Sequence, residues 1–477
     1  MGKINIISYP NLELARKNNY PKDILRNEIS CSPSLKEFAL GKTYFIKTHG
    51  CQANIRDGEI MSSLLELAGF TKANNIKEAD VSIINTCAVR ENAESKVYGE
   101  IGDLKSKKNK SIIAVCGCMA QEDKNVDLLL KTYSHVNLIF GTHNVHELLS
   151  LIELVIFNKK RVVKVNSAPL AIHENYPDIV REDSFKAYVN ITYGCDKFCT
   201  YCIVPYTRGR ERSRQMEDIL NECRHLKEKG YLEITLLGQN VNAYGKDLNN
   251  GENFATLLKE VSKIGIPRVR FLTSHPWDFT SDIIDAIRDC PNVCKYIHLP
   301  VQSGDDEILK LMGRRYSQKQ YLDLVKEIKT KIPDVAISTD IIVGFPNETY
   351  EQFKHTIDVC NEVEYDSAFT FIYSPRKGTP AAKIVDNVTK EEKSKRFQEL
   401  VKALEPSIEK SNAKLIDKTV DVLVESISKN NDEILSGHTE NMKLVNFKGD
   451  PKLIGKIVKV KILKSYLHYL LGEYVDE

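Results

Sequence analysis

The sequence predicts an α/β protein in three successive parts: an N-terminal doubly wound parallel sheet, a central partial (β/α)6 barrel and a C-terminal small β-barrel. Three observations carry this expectation. From Lys42 to about residue 158, short apolar runs alternate with amphipathic helical stretches, the repetition that builds a parallel sheet. The alternation resumes at Phe185 and yields about six strands before residue 405, fewer than the eight of a closed barrel. From about Asn412 the apolar period falls to two, with Gly, Asn and Asp turns between short runs, the pattern of a small antiparallel barrel.

These patterns divide the chain into an N-terminal extension (1–41), a first domain (42–165), a barrel domain (185–405) and a C-terminal domain (412–477). A length of 477 residues accommodates them with a core for each. Lys plus Arg (67) nearly balance Asp plus Glu (65), so any nucleic-acid surface has to be a local patch. No apolar run reaches a membrane-spanning length, and the opening MGKINIISYP lacks the order of a signal peptide. A cytoplasmic protein with no membrane partner is the expectation, and its twelve cysteines then point to metal binding or catalysis rather than disulfides.

Residues 1–41 are polar, with Pro10, Pro21 and Pro33 and no sustained period, and read as an arm. In the first domain TYFIKT, VSIINT, SIIAVC and NLIFG read as strands. Cys51, Cys87 and Cys118 each follow one of them directly, at the strand ends where such sheets gather ligand-binding loops. Three thiolates converging there would bind an iron–sulfur cluster with one iron left open; the plainer alternative is three small hydrophobes. Cys116 lies inside its strand and is assigned to packing. A connector follows to about residue 184, where Pro169 and Pro177 among acidic residues suggest a surface crossing.

In the barrel domain AYVNIT, LEITLLG, VRFLTS, KYIHLP, VAISTDIIVGF and AFTFIY read as strands, and function belongs on the loops that follow them. The first such loop is YGCDKFCTYC. It sets Cys195, Cys199 and Cys202 in a C-x-x-x-C-x-x-C pattern that can ligate three irons of a [4Fe–4S] cubane and leave the fourth open to a small molecule. Zinc is the weaker reading, because no fourth Cys or His stands at motif spacing. Gln239, Gln302 and Asp340 fall on or near later post-strand loops and offer polar contacts to a bound molecule, with ordinary turn chemistry as the alternative. In the last domain Lys448, Lys452, Lys456, Lys459, Lys461 and Lys464, with Tyr466 and Tyr469, suit a phosphate backbone and stacked bases, or simply a solvated face.

The cysteine loop with Tyr201 resembles the radical S-adenosylmethionine superfamily. THGCQAN, NTCAVRENAE, GCMAQ, YGCDKFCTYCIVPYTRGRERSR, LLGQNVNAYG, HLPVQSG, VGFPNET and YSPRKGTPAA together resemble its methylthiotransferases, from about Lys42 to the end. The resemblance implies a radical SAM core, a TRAM-like RNA-binding C-terminal domain, and two [4Fe–4S] clusters with S-adenosyl-L-methionine as cofactors. It implies that Cys195, Cys199 and Cys202 hold the cluster that binds S-adenosylmethionine, and that Cys51, Cys87 and Cys118 hold an auxiliary cluster that carries the sulfur to be inserted. Tyr201 would lie by the adenine of the cofactor, with Gln239, Gln302 and Asp340 as its other contacts. The implied reaction is methylthiolation of carbon 2 of a prenylated adenosine beside the anticodon of tRNA, fed by an electron donor such as flavodoxin or ferredoxin, in a monomeric enzyme. Such a hydrogen sits on an aromatic carbon and is beyond acid–base catalysis at neutral pH, which is why a cofactor must carry the step. Trp277 would stack on the base or fill the barrel mouth. Arg208, Arg210, Arg212 and Arg214 would contact phosphate or pair with Glu211 and Glu217 around a helix cap at Ser213. Gly58 departs from the family, which usually has serine there. Two alternatives stand beside this reading: a sister methylthiotransferase acting on threonylcarbamoyl-adenosine or on a ribosomal-protein aspartate, and a non-catalytic iron–sulfur protein that binds RNA or senses redox state.

Overall fold

The computed structural model describes residues 4–17, 24–26, 29–88, 91–107, 111–168, 172–174, 179–429 and 431–475. The chain forms two compact units: residues 1–182, 192–198 and 202–214 in one, and 183–191, 199–201 and 215–477 in the other.

The first unit is built on a seven-stranded, wholly parallel sheet. Its strands are β1 (Ile4–Ser8), β2 (Thr43–Thr48), β3 (Thr71–Lys72), β4 (Val81–Thr86), β5 (Ile112–Gly117), β6 (Leu138–Phe140) and β7 (Arg161–Lys164). In space they run β1-β7-β6-β5-β4-β2-β3. Every residue of β4 and β5 is buried, as expected of central strands covered by helices on both faces. Alternate side chains enter two separate cores: Ile83 and Ala114 pack with Met61 on one face, Ile84 and Val115 with Val97 on the other. Cys116 packs in the first of these, as expected.

The N-terminal stretch departs from the expected arm. Residues 4–8 form the edge strand β1, paired in parallel with β7, and helix α1 (Pro33–Ala39) buries Leu35 and Ala39 in the sheet core. The free edge of β7 supplies the reason: an unpaired strand edge in a parallel sheet is a liability that a short apolar run such as INIIS removes. The connector likewise contributes structure, since β7 belongs to the sheet and residues 172–173 pair in parallel with 24–25. Pro169 and Pro177, expected to mark a surface crossing, lie outside the described residues.

The second unit carries six parallel strands in two sets of three, β8 (Lys186–Asn190), β9 (Glu233–Leu237) and β10 (Arg268–Phe271), then β11 (Tyr296–His298), β12 (Ala336–Val343) and β13 (Ser367–Ile372). Val189, Ile234, Val269, Ile297 and Ile337 face the helices, and their strand neighbours Thr235, Arg270, His298 and Ser338 face the other way, the alternation of a barrel wall. Four helices of this unit start with reciprocal caps, from Asn253, Ser317, Thr349 and Thr389.

A closed five-stranded barrel follows in the order β14-β15-β16-β18-β17, from β14 (Thr419–Ser428), β15 (Asn431–Thr439), β16 (Leu444–Lys448), β17 (Ile457–Ser465) and β18 (Leu470–Tyr474). It docks at the N-terminal ends of the parallel strands. Arg268 donates to the carbonyls of His438 (2.9 Å) and Asp421 (2.8 Å), and Arg270 to that of Thr439 (2.8 Å). Lys443 reaches the carbonyl of Asp366 just before β13. The small barrel therefore occupies the end of this unit opposite the loops that carry the candidate site residues.

Candidate iron–sulfur and cofactor sites

In the first unit Cys51, Cys87 and Cys118 are brought together by the sheet. Cys51 stands at the N-terminus of helix α2 (Gln52–Leu67) after β2, Cys87 directly follows β4, and Cys118 opens a short turn after β5. A side chain on Gly50 would meet Cys87, its Cβ falling 3.0 Å from the Cys87 sulfur, so the loops of Cys51 and Cys87 touch. Gly117 has φ +93°, and a Cβ there would lie 2.3 Å from the carbonyl oxygen of Thr86. Only glycine allows β5 to turn so sharply into Cys118.

Asn54, fully buried on the first turn of α2, joins the three loops. Its Nδ2 donates to the carbonyls of His49 and Thr86, both at 2.8 Å, and its Oδ1 stands 3.8 Å from the sulfurs of Cys51 and Cys118. The same oxygen accepts from Arg208 Nη2 at 2.6 Å, and Arg208 forms an ion pair with Asp57 at 2.8 Å. Burial pushes the Cys118 thiol up to about 12, against the pull of Arg208. A thiol held this way loses its proton only to a metal or an equivalent electrophile.

The second cysteine set lies on the loop after β8. Gly194, at φ +70°, packs its Cα so close to the carbonyl of Arg210 that a Cβ would stand 2.1 Å away, and Cys195 N donates to Gly209 O. In the first unit, Cys195 and Cys202 are half-buried. In the second, buried Cys199 precedes Thr200, which is tied by its amide to Met312 O (2.9 Å) and by its hydroxyl to Leu311 O (2.7 Å). Tyr201 packs against Ile308, Met312, Phe345, Tyr373 and Ala381. Buried Arg314 donates to Cys199 Sγ at 3.6 Å.

Gln302 and Asp340 are neighbours through their backbones: Gln302 N donates to Asp340 O at 2.9 Å, and Ile342 N to Gln302 O. Gln302 adopts φ +70°, a costly conformation for a non-glycine residue that concentrates at functional sites. The Asp340 carboxylate lies 3.5 Å from His298 Nε2. Gln239 is half-buried two residues after β9.

Among the described residues, no three His, Cys, Asp or Glu side chains close on one point as a single ion's ligands do. The thiolates of a cubane each bond a different iron, whereas the ligands of a zinc site converge on one ion. All twelve cysteines are free thiols, and two buried guanidinium groups point toward Cys118 and Cys199. Free thiols with a guanidinium beside them, at Cys118 and at Cys199, fit such a group.

Several expected contacts take other partners. Arg208 pairs with Asp57, Arg210 with Asp196 (2.6 Å) and Arg214 with Glu174 (2.7 Å), while Glu217 pairs with Arg224. Ser213 lies in a two-residue strand, Arg212–Ser213, and pairs with Thr192, while the helix that follows starts at Met216 with Gln215 at its N-cap. Trp277 is 43 % exposed with Arg315 stacked 4.8 Å over its ring, rather than filling the barrel mouth. Lys459 and Lys448 pair with Asp421 and Glu433, while Tyr466 and Tyr469 stack on each other at 4.6 Å. Gly58 faces Thr48, whose hydroxyl oxygen would stand 2.9 Å from a Cβ.

Comparison with known proteins gives three family matches: the Radical SAM superfamily at residues 189–360, Uncharacterized protein family UPF0004 at 43–141, and the TRAM domain at 414–475. A tRNA-2-methylthio-N(6)-dimethylallyladenosine synthase of Staphylococcus haemolyticus is 51 % identical over 476 residues, covering 99 % of this chain and 92 % of the relative. The synthase of the same name from Staphylococcus saprophyticus is 50 % identical over 98 % of this chain and 92 % of its own length. The chain belongs to this synthase family. Among solved structures, the radical S-adenosylmethionine methyltransferase TsrM from Kitasatospora setae superposes with a TM-score of 0.52 at 13 % identity, over 72 % of this chain and 74 % of that one. With tryptophan and a cofactor analogue bound, TsrM gives a TM-score of 0.53 at 12 % identity, over 72 % and 75 % of the two chains. At such identities this is a likeness of fold. Family membership, not that likeness, bears on chemistry.

Sequence reasoning missed Asn54, Asp57 and Arg314 as site residues and gave Arg208 a phosphate or salt-bridge role rather than a place beside Cys118. Asn54 stands beside a cysteine in THGCQAN and Arg208 in the arginine run, but their partners lie far away in the chain, so only the fold reveals what they touch.

Proposed function

We infer that this protein is a radical S-adenosylmethionine tRNA methylthiotransferase. It places a methylthio group on carbon 2 of N6-(dimethylallyl)adenosine beside the anticodon, yielding 2-methylthio-N6-(dimethylallyl)adenosine. The observation that carries this is the presence of two cysteine triplets, one of them gathered at three strand ends, in a chain about half identical to synthases of this name over nearly its whole length.

In this reading Cys195, Cys199 and Cys202 hold one [4Fe–4S] cluster, and Cys51, Cys87 and Cys118 hold the other. When bound, the clusters and S-adenosylmethionine supply one-electron cleavage, hydrogen removal from an aromatic carbon, the inserted sulfur and its methyl group. The chain's own residues do the holding. Tyr201 presents a ring, anchored by Met312 and Phe345, to the adenine of the cofactor, and Gln239, Gln302 and Asp340 supply polar contacts to its sugar and amino-acid end. The backbone tie between Gln302 and Asp340 fixes those two groups relative to each other. Asn54 and Arg208 keep Cys51 and Cys118 at their separation. Within the second unit the small C-terminal barrel and the loops of Gln239, Gln302 and Asp340 lie at opposite ends of the strands, which suits a macromolecular substrate such as tRNA better than a free nucleoside. The electron comes from an external donor of the flavodoxin or ferredoxin type, and the enzyme acts as a monomer in the cytoplasm. No described helix is long and apolar enough to cross a membrane.

Mass spectrometry of nucleosides from tRNA of a deletion strain tests the function. The expected result is loss of the methylthio group from dimethylallyladenosine, with methylthio-threonylcarbamoyl-adenosine retained. The reverse pattern overturns it.

A further inference from the structure

Arg314 is 6 % exposed, and each of its three guanidinium nitrogens makes a hydrogen bond. Nε donates to Tyr316 Oη at 2.9 Å, Nη2 to the carbonyl of Pro300 at 2.7 Å, and Nη1 to Cys199 Sγ at 3.6 Å. None of these partners carries a formal negative charge as drawn, and among the described residues no carboxylate pairs with Arg314. The fork cannot swing away. Tyr316 is itself held by a bond to Val301 O at 2.8 Å, and its ring lies against Tyr321 and His275. Thr200, next to Cys199, is bonded to Leu311 and Met312, so the cysteine and the arginine are fixed to one short segment.

An arginine does not shed its proton, and a buried cation with no counter-charge is costly to fold. For Arg314 the fold bears that cost beside a cysteine. A thiolate-ligated iron–sulfur cluster is the anion that would balance it, and it grows more negative on reduction. Hydrogen bonds to cluster sulfurs and nearby charge are the levers by which a protein sets cluster potential.

We propose that Arg314 is a positioning residue for the cluster held by Cys199, whose fixed charge and hydrogen bond to the Cys199 sulfur raise that cluster's reduction potential. The inference rests on the ligand reading above. The step concerned adds one electron and no proton to the cluster, from the external donor. The arginine's charge favours the product of that step over its reactant.

The test uses the full chain with Cys51→Ala, Cys87→Ala and Cys118→Ala, reconstituted anaerobically with iron and sulfide, so that only one cluster remains. About four irons per chain supports the ligand reading, and an absence of iron sinks that reading rather than the role of Arg314. A redox titration followed by electron paramagnetic resonance then reads the midpoint potential with dithionite as reductant. In this background Arg314→Gln is expected to lower the equilibrium constant for reduction at least about tenfold, a fall of about 59 mV for one electron. Arg314→Lys is expected to restore most of it, because the charge remains. An Arg314→Gln protein with the unaltered midpoint overturns the proposal. Where Arg314→Gln fails to retain iron, Arg314→Lys is read alone: a change under about twofold supports the charge, and a fall of about tenfold overturns it.

Discussion

The two cysteine sets of this chain are built in different ways. Cys51, Cys87 and Cys118 come from three separate strand ends, and the sheet has to fold before they meet. Cys195, Cys199 and Cys202 sit on one loop, and their spacing is set within a few residues. Each set has a buried arginine, but the electrostatics differ. Arg208 near Cys118 is balanced by Asp57 at 2.8 Å, whereas Arg314 near Cys199 has no carboxylate partner among the described residues. The dispersed set is therefore fragile toward folding changes and electrostatically neutralised. The local set has its spacing fixed by the chain itself and, in our proposal, an arginine charge at Cys199 that no carboxylate among the described residues offsets.

The largest effects should come from the cysteines proposed as ligands. Replacing any of Cys51, Cys87 or Cys118 with alanine should cut iron content to about half, from about eight to about four per chain. It should abolish methylthio product while leaving S-adenosylmethionine cleavage intact. Replacing Cys199 should abolish both. Iron analysis and product chromatography read the two outcomes separately, and unchanged iron in all three first-unit variants would break the comparison.

Folding changes should then divide the two sets. Gly117→Ala forces a Cβ against the carbonyl of Thr86 at φ +93° and is expected to destabilise the sheet end that carries Cys87 and Cys118 by about 3 kcal/mol, with loss of iron from the Cys51, Cys87 and Cys118 set. Asn54→Ala strips partners from two buried carbonyls and from Arg208, and is expected to cost about 2 kcal/mol in denaturant unfolding. Loss of iron from both sets in either variant would contradict their independence.

The smallest effect sharpens the electrostatic contrast. Asp57→Asn removes the counter-charge of Arg208 and makes the first set resemble the second. In a chain lacking Cys195, Cys199 and Cys202, it should raise the midpoint of the remaining cluster by up to about 59 mV, roughly a tenfold gain in the equilibrium constant for reduction. A fall in the midpoint would show that Arg208 does not act through its charge.

The elements that could be read from the chain were those whose signal is local. The strand-ending positions of Cys51, Cys87 and Cys118, the inward placing of Cys116 and the cysteine loop all follow from periodicity over a few residues. Membership of β1 in the sheet did not, because INIIS is short and its partner β7 lies far along the chain. The arginines of the 208–214 run looked like partners for Glu211 and Glu217, since nearby opposite charges are all a sequence offers. The fold instead pairs three of them with Asp57, Asp196 and Glu174. Arg314 is an extreme case: its meaning lies in Cys199, 115 positions earlier, and in the absence of an acid paired with it among the described residues.

The most direct test of the account is the product profile of the chain carrying Cys51→Ala, Cys87→Ala and Cys118→Ala, supplied with prenylated tRNA, S-adenosylmethionine and dithionite. The account predicts 5′-deoxyadenosine without any methylthio-dimethylallyladenosine, because one cluster cleaves the cofactor and the other supplies the sulfur. Methylthiolated nucleoside from that variant would contradict it.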